Sequence, residues 1–189
     1  MKQGLEKFNK LVEAFESLPT VGKKSATRLA YHLCMNDPFS AMKLSHAIES
    51  AVDSVKKCQT CGAMSENELC YICIDEGRNQ EKLCIVENAK DILIIEENAP
   101  FDGRYFVLRS LDSDAVAPLF DLIKTGITEV VFALTPSIAN DAVILFIEDK
   151  LKDYTLDFTK IAQGVPTGVS LENVDMLSLT RALEDRVKV

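Results

Sequence analysis

Cys58-Gln59-Thr60-Cys61 and Cys70-Tyr71-Ile72-Cys73 form two C-x-x-C pairs separated by eight residues. A two-residue spacer lets a tight turn bring both thiolates onto one small ion, and two such turns complete a tetrahedral four-sulfur site. The intervening residues, Gly62 to Leu69, are polar and too few to bury a core of their own, so metal ligation would supply most of this module's folding free energy. Two disulfides, four free thiols or an iron site are the competing readings. Zinc is the default for a closed site of this kind, and four sulfurs leave no open position for water, so the expected role is structural, with one Zn(2+) per chain.

Outward from these cysteines the chain divides into two unlike parts. The 189 residues are 47% hydrophobic and 26% charged, the balance of an ordinary globular protein. The net charge is −8, yet residues 1–57 carry nine Lys/Arg against six Asp/Glu, while residues 58–189 carry twelve against twenty-three. A local basic patch can hold a polyanion while the acidic remainder faces a different partner. The chain shows neither a basic start with an apolar signal core nor an apolar run approaching a membrane span, so a cytoplasmic protein without membrane contact is expected. The two remaining cysteines, Cys34 and Cys84, lie in apolar settings and are expected as small core residues.

Before the cysteines, apolar residues at Leu5, Phe8, Leu11, Val12, Phe15 and Leu18 fall at helical spacing, and Pro19 ends that helix. A second helix is expected from Lys23 to about Met35. Asp37-Pro38 restarts the chain into a third, carried by Met42, Leu44, Ala47, Ile48, Ala51, Val52 and Val55. After them, the charged connector from Asp75 to Lys82 reads as a boundary. Strands are then expected at 83–86, 105–108, 129–134 and 154–162, alternating with helices at 89–98, 115–124 and 138–153, and a last helix runs from about Asp175 to Arg186. Alternation of this kind implies βαβ crossovers and a mainly parallel sheet, so the fold class is α/β.

The turn Leu18-Pro19-Thr20-Val21-Gly22-Lys23-Lys24-Ser25-Ala26 resembles the hairpin of a helix-hairpin-helix motif, in which backbone N–H groups at a helix start meet a phosphate and nearby cations add charge. Lys24 and Arg28 share one helix face and Lys23 sits at the mouth. That motif usually has glycine where Thr20 stands. The Leu83-Cys84-Ile85-Val86-Glu87 strand ending in an acid resembles a Toprim domain, in which such a glutamate and a downstream acidic pair hold magnesium for phosphoryl chemistry. Here only Asp141 of that pair is present, because Ala139 occupies the position two before it. His32 and His46 lie in helical patterns away from any nucleophile and are expected as packed or surface residues. The loop Gly164 to Gly168 lacks the lysine of a P-loop.

Taken in order, the hairpin, the cysteines, the Glu87 strand, the Pro136 loop and the stretch from Ile161 to Gly168 with Leu171-Glu172 and Asp175 resemble the RecR family of recombination mediators over nearly the whole chain. The resemblance implies four parts: a helix-hairpin-helix DNA-binding region (1–57), a four-cysteine zinc finger (58–73), a Toprim-like domain (74–163) and a C-terminal loop and helix (164–189) serving as an oligomer contact. It implies a non-enzymatic, DNA-clamping ring, usually a tetramer, that acts with RecO and in many lineages RecF to load RecA on gapped DNA. Carried over residue by residue, Lys23, Lys24 and Arg28 would contact DNA, Cys58, Cys61, Cys70 and Cys73 would bind zinc, and Glu87 and Asp141 would contact a protein partner. The competing function is a magnesium-dependent Toprim enzyme acting on nucleic acid. A third is an adaptor that binds only protein.

Overall fold

The computed structural model describes residues 4–99, 101–162, 164–165, 167–184 and 186, which fall into two compact units parted between Val55 and Lys56. Of the expected C-terminal stretch, Gln163, Pro166 and Asp185 lie outside the described residues.

In the first unit, helix α1 (Glu6–Glu16) packs through Phe8, Leu11, Val12 and Phe15 onto Ala26 and Ala30 of helix α2 (Lys23–Tyr31). The two alanines are fully buried, which lets the helices approach closely. Between them the turn passes through Thr20 at φ 68°, a left-handed conformation for a β-branched residue. That conformation is disfavoured by about 1–2 kcal/mol for L-residues, through the clash of Cβ with the following carbonyl. Beyond Tyr31 the helix widens into a π-turn (His32–Asn36), closed by Asp37 N–H donating to the His32 carbonyl at 2.9 Å. The widening turns Cys34 outward, so it is exposed and not the core residue its apolar neighbours suggest. His32 and His46 are both exposed. The Asp37 carboxylate then caps helix α3 (Pro38–Ser54) by accepting from Ser40 N–H at 3.0 Å. That bond is the main cause holding its pKa below the usual carboxylate value. None of the 17 residues of α3 is buried, and its apolar residues Phe39, Met42 and Val52 stand 81%, 72% and 75% exposed.

The second unit opens with an antiparallel ribbon, β1 (Lys56–Lys57) and β2 (Met64–Ser65), which frames the first cysteine turn, and the second lies at the start of a single helical turn, α4 (Tyr71–Ile74). Then follow β3 (Lys82–Val86), α5 (Ala89–Asn98), β4 (Arg104–Val107), α6 (Ser113–Ile123), β5 (Glu129–Ala133), α7 (Ile138–Leu151), β6 (Asp157–Lys160) and α8 (Met176–Glu184). The four long-range strands form a wholly parallel sheet in the order β4-β3-β5-β6. Every predicted strand is present, the last shorter than expected.

Strand side chains alternate between faces. Leu83, Ile85, Phe106, Leu108, Val130 and Phe132 enter one core with α6 and α7, while Cys84, Val86, Tyr105 and Val107 enter the other. That second core is completed by Ile92 of α5 and by Cys58, Cys61, Ala63, Cys70 and Ile72 of the cysteine module. The module thus covers sheet surface that a helix covers in most doubly wound folds, and each large side chain buried there contributes about 1.5–3 kcal/mol. The connector 75–82, expected as a boundary, does not part module from sheet. Arg78 donates to the Gly103 carbonyl at 2.7 Å, pairs with Glu96 of α5 and lies 5.9 Å from the centre of the Tyr105 ring, whose hydroxyl donates to Glu96 at 2.6 Å.

Replacing Thr20 by glycine removes the Cβ clash and should raise stability in urea by about 1 kcal/mol, since the greater freedom of unfolded glycine offsets part of the gain. A less stable Thr20→Gly protein would contradict this reading of the turn.

Candidate metal centre and nucleic-acid interface

The two cysteine turns converge as their spacing requires. Gly62 N–H donates to the Cys58 carbonyl at 3.0 Å, and Gly62 itself takes φ 77°. The four sulfurs lie within 4.8 Å of one another, with Cys61 and Cys70 3.5 Å apart and Cys58 and Cys73 3.8 Å apart. Four sulfurs at about 2.3 Å from a central zinc are separated by about 3.8 Å, so the cage fits the ion. A disulfide needs about 2.05 Å, so none of these four is paired to another. The backbone supports the charge: Cys70 N–H points at Cys58 Sγ and Ala63 N–H at Cys61 Sγ. The hydrogen bond shared with Cys61 draws the Cys70 thiol far below its usual range and drives Cys61 far above it, so thiolates compete until a cation balances them. Burial alone pushes the thiol of Cys84, outside the cage, up to about 12, and it is a core residue, as expected.

The module is also fastened to the edge of the sheet. The Cys61 carbonyl accepts from Val107 N–H at 2.8 Å, closing the outer side of β4, and Arg109 Nη2 reaches the Gly62 carbonyl at 3.3 Å. A Cβ at Gly62 would stand 2.9 Å from Arg109 Nη2 and 3.3 Å from the Val107 Cβ, so a side chain there would displace the guanidinium and crowd Val107, on a backbone whose φ already favours glycine.

On the first unit Lys23 and Lys24 open α2 and Arg28 follows in its last turn, four residues on from Lys24; all three are exposed, and among the described residues none forms an ion pair. Gly22 caps the helix without a side-chain hydrogen bond, so its first N–H groups are unsatisfied by side chains. Cations at a helix start oppose the dipole, and Lys24 and Arg28 four apart repel each other. This arrangement costs stability and suits an anion.

At the carboxyl ends of the strands, Glu87 follows β3. Its Oε2 accepts from Thr135 N–H at 3.0 Å and from Thr135 Oγ1 at 2.5 Å, and its Oε1 accepts from Asn140 Nδ2 at 2.8 Å. These bonds, the Thr135 hydroxyl foremost, hold the carboxyl below its usual value of 4.5. Asp141 faces elsewhere. Lys160 Nζ at 3.9 Å and a guanidinium nitrogen of Arg181 at 3.7 Å approach its two oxygens. Thr135, Asn140, Lys160 and Arg181 escaped the sequence reading, because only folding brings them to these carboxylates; the hydroxyl and amide types alone carry no such signal.

Because four thiolates are needed to close the cage, Cys61→Ser should release the ion and lower stability well beyond the cost of one buried thiol. Elemental analysis of protein purified without chelator should find one zinc per parent chain and substantially less in the variant. Full occupancy in the variant would contradict the four-ligand site.

Two family models match the chain, the RecR helix-hairpin-helix over residues 8–52 and the RecR four-cysteine zinc finger domain over residues 55–75. Full-length relatives agree with both. The chain is 56% identical over 190 residues to the Recombination protein RecR of Nitratiruptor sp. and to that of Campylobacter jejuni, covering the whole of each. It is 48% identical over 188 residues to the Recombination protein RecR of Helicobacter pylori, covering 99% of this chain and 97% of the relative. The zinc is therefore that of a four-cysteine finger, one structural ion per chain held by Cys58, Cys61, Cys70 and Cys73. With hairpin, cysteine cage and parallel sheet in this order, and with identity at this level from end to end, the chain belongs to the RecR family.

Proposed function

We propose that this protein is a DNA-binding mediator of recombinational DNA repair, without catalytic turnover, which acts with RecO, and with RecF where present, to load RecA on gapped DNA. The observation that carries the reading is the set of exposed cations on α2, Lys23 and Lys24 at its unsatisfied start and Arg28 one turn on from Lys24, in a chain that matches Recombination protein RecR relatives along their whole length. Contacts of this type grip phosphates without reading bases, as a mediator acting at gaps of any sequence requires.

Two further observations support it. The Toprim-like carboxylates are ill suited to metal catalysis: Glu87 already accepts three hydrogen bonds, and Asp141 is approached by two cations. The exposed apolar residues of α3 suit burial against a second copy of the chain, as do those of α8, where Met176 and Leu183 are exposed. Assembly, a tetramer in our reading, multiplies a patch of three cations into one strong site, because each added contact becomes intramolecular. The carboxyl ends of the strands, where Glu87 and Asp141 lie, face the protein partner. No helix among the described residues is long and apolar enough to cross a membrane, and we place the protein in the cytoplasm with the DNA it serves.

The test is a DNA titration at several salt concentrations with parent and Lys24→Ala/Arg28→Ala proteins. The variant should bind every sequence more weakly, and the slope of log K against log salt should fall in magnitude by about 1 for each phosphate no longer neutralised. Oligomer mass by light scattering should stay unchanged. Equal binding by the two proteins at moderate salt would contradict the reading, as would a parent that binds DNA as a monomer.

A further inference from the structure

The first cysteine turn and α6 enclose a crevice of about 270 Å³ beside the edge strand β4, which neither Glu87 nor Asp141 lines. Lys57 of β1, Gln59 and Thr60 of the turn, and Arg109 just beyond β4 supply its polar side chains, while Ala115 and Pro118 of α6 give it an apolar wall. Asp114 is the one acid that borders it among the described residues. The N–H of Ala115 is already taken by the Asp112 carboxylate at 3.1 Å, so it is the cations, not the helix start, that the crevice offers an anion.

The unit that carries this crevice is acidic, with twelve Lys/Arg against twenty-three Asp/Glu over residues 58–189. Carboxylates are within easy reach of its cations, and Arg78, Lys82, Lys124 and Lys152 each pair with one. Lys57 and Arg109 do not: both are exposed, and among the described residues neither forms an ion pair. Arg109 is steadied through Nη2 by the Gly62 carbonyl at 3.3 Å, and its guanidinium retains further donors. A planar guanidinium and an ammonium bordering one cleft suit a phosphate, the first giving paired N–H bonds and the second a point charge. A cation entering the same cleft would meet two like charges. Asp114 and the zinc centre, where four thiolates outweigh one divalent ion, weaken the hold on an anion. That fits a contact which supplements a grip made elsewhere on the same polyanion, because the second contact is then intramolecular.

We propose that this crevice is a second nucleic-acid contact, separate from the hairpin, which takes one backbone phosphate between Lys57 and Arg109 with the adjoining sugar against Ala115 and Pro118. The inference rests on the mediator reading for the presence of DNA, and it goes further by giving the zinc-bearing unit a phosphate contact of its own. Lys57, Gln59 and Thr60 belong to the ribbon and turn that zinc closes, and Arg109 is steadied by that turn, so the contact depends on the loaded metal centre.

The experiment titrates a fluorescent oligo-dT with the zinc-loaded full chain at several salt concentrations, as parent, Lys57→Ala, Arg109→Gln and Asp114→Asn proteins, with zinc content and oligomer mass measured alongside. Lys57→Ala and Arg109→Gln should each weaken binding at least about threefold and lower the magnitude of the log K against log salt slope by about 0.7 for each single-strand phosphate no longer neutralised. Asp114→Asn should tighten binding, since it removes the carboxylate beside the phosphate. The Lys57 side chain is exposed and bonds to no other group among the described residues, so Lys57→Ala stays decisive if Arg109→Gln loosens the cysteine turn. Unchanged DNA binding in both cation variants would overturn the assignment, and zinc loss in those variants would then give the two cations the task of balancing the cage. Weaker binding by Asp114→Asn would overturn it as well. So would proteins that differ only toward inorganic phosphate, read as a thermal shift, because that marks a free-anion site. If Lys24→Ala/Arg28→Ala weakens DNA binding while these variants do not, the mediator reading stands and this contact alone is overturned. A parent that binds no DNA overturns both.

Discussion

Four thiolates drawn within 4.8 Å of one another cannot all keep their charge without a cation, and the second unit is built around the ion that resolves this. The cage closes two turns that have little apolar surface of their own. Once closed, it presents Ala63, Ile72 and the cysteine side chains to Cys84, Val86, Tyr105 and Val107 of the sheet. The same turn supplies the Cys61 carbonyl that covers the outer side of β4. An exposed parallel edge invites association with other strands, so the metal module stabilises the sheet and shields it in one step.

A second constraint is electrostatic. Basic residues gather before the cysteines and acidic residues after them, so one chain carries two regions of opposite sign. On the basic side the cost is visible locally. Two cations, Lys23 and Lys24, stand at the start of α2 against its dipole, and a threonine is held at φ 68° in the turn that presents them. Strain of this kind persists where surrounding packing fixes the backbone, and here the packing of α1 on the fully buried Ala26 and Ala30 does so. On the acidic side, Glu87 is a clasp between β3 and the loop after β5.

Much of this was legible before any coordinates. The C-x-x-C spacing specified the cage, and the alternation of short apolar runs with helical ones specified the parallel sheet, because both signals are local and periodic. The misreadings share a physical origin in contacts distant along the chain. Cys34 looks like a core residue between Leu33 and Met35, but the π-turn rotates it outward. The charged connector looks like a boundary because charges favour solvent, whereas Arg78 finds Glu96 and two carbonyls more than fifteen residues away and stitches it down. The donors that surround Glu87 come from 48 and 53 residues downstream, beyond the reach of any motif.

The central claim is that the zinc module is an integral layer of the α/β unit and not an appended finger. Amide hydrogen exchange of the whole protein, with and without a zinc chelator, tests it most directly. The account predicts that removing zinc accelerates exchange in β3, β4 and α5 as well as in residues 56–75, since they share one core, while α1 and α2 of the other compact unit are unaffected. Faster exchange confined to residues 56–75, with β3 and β4 as protected as before, would contradict it.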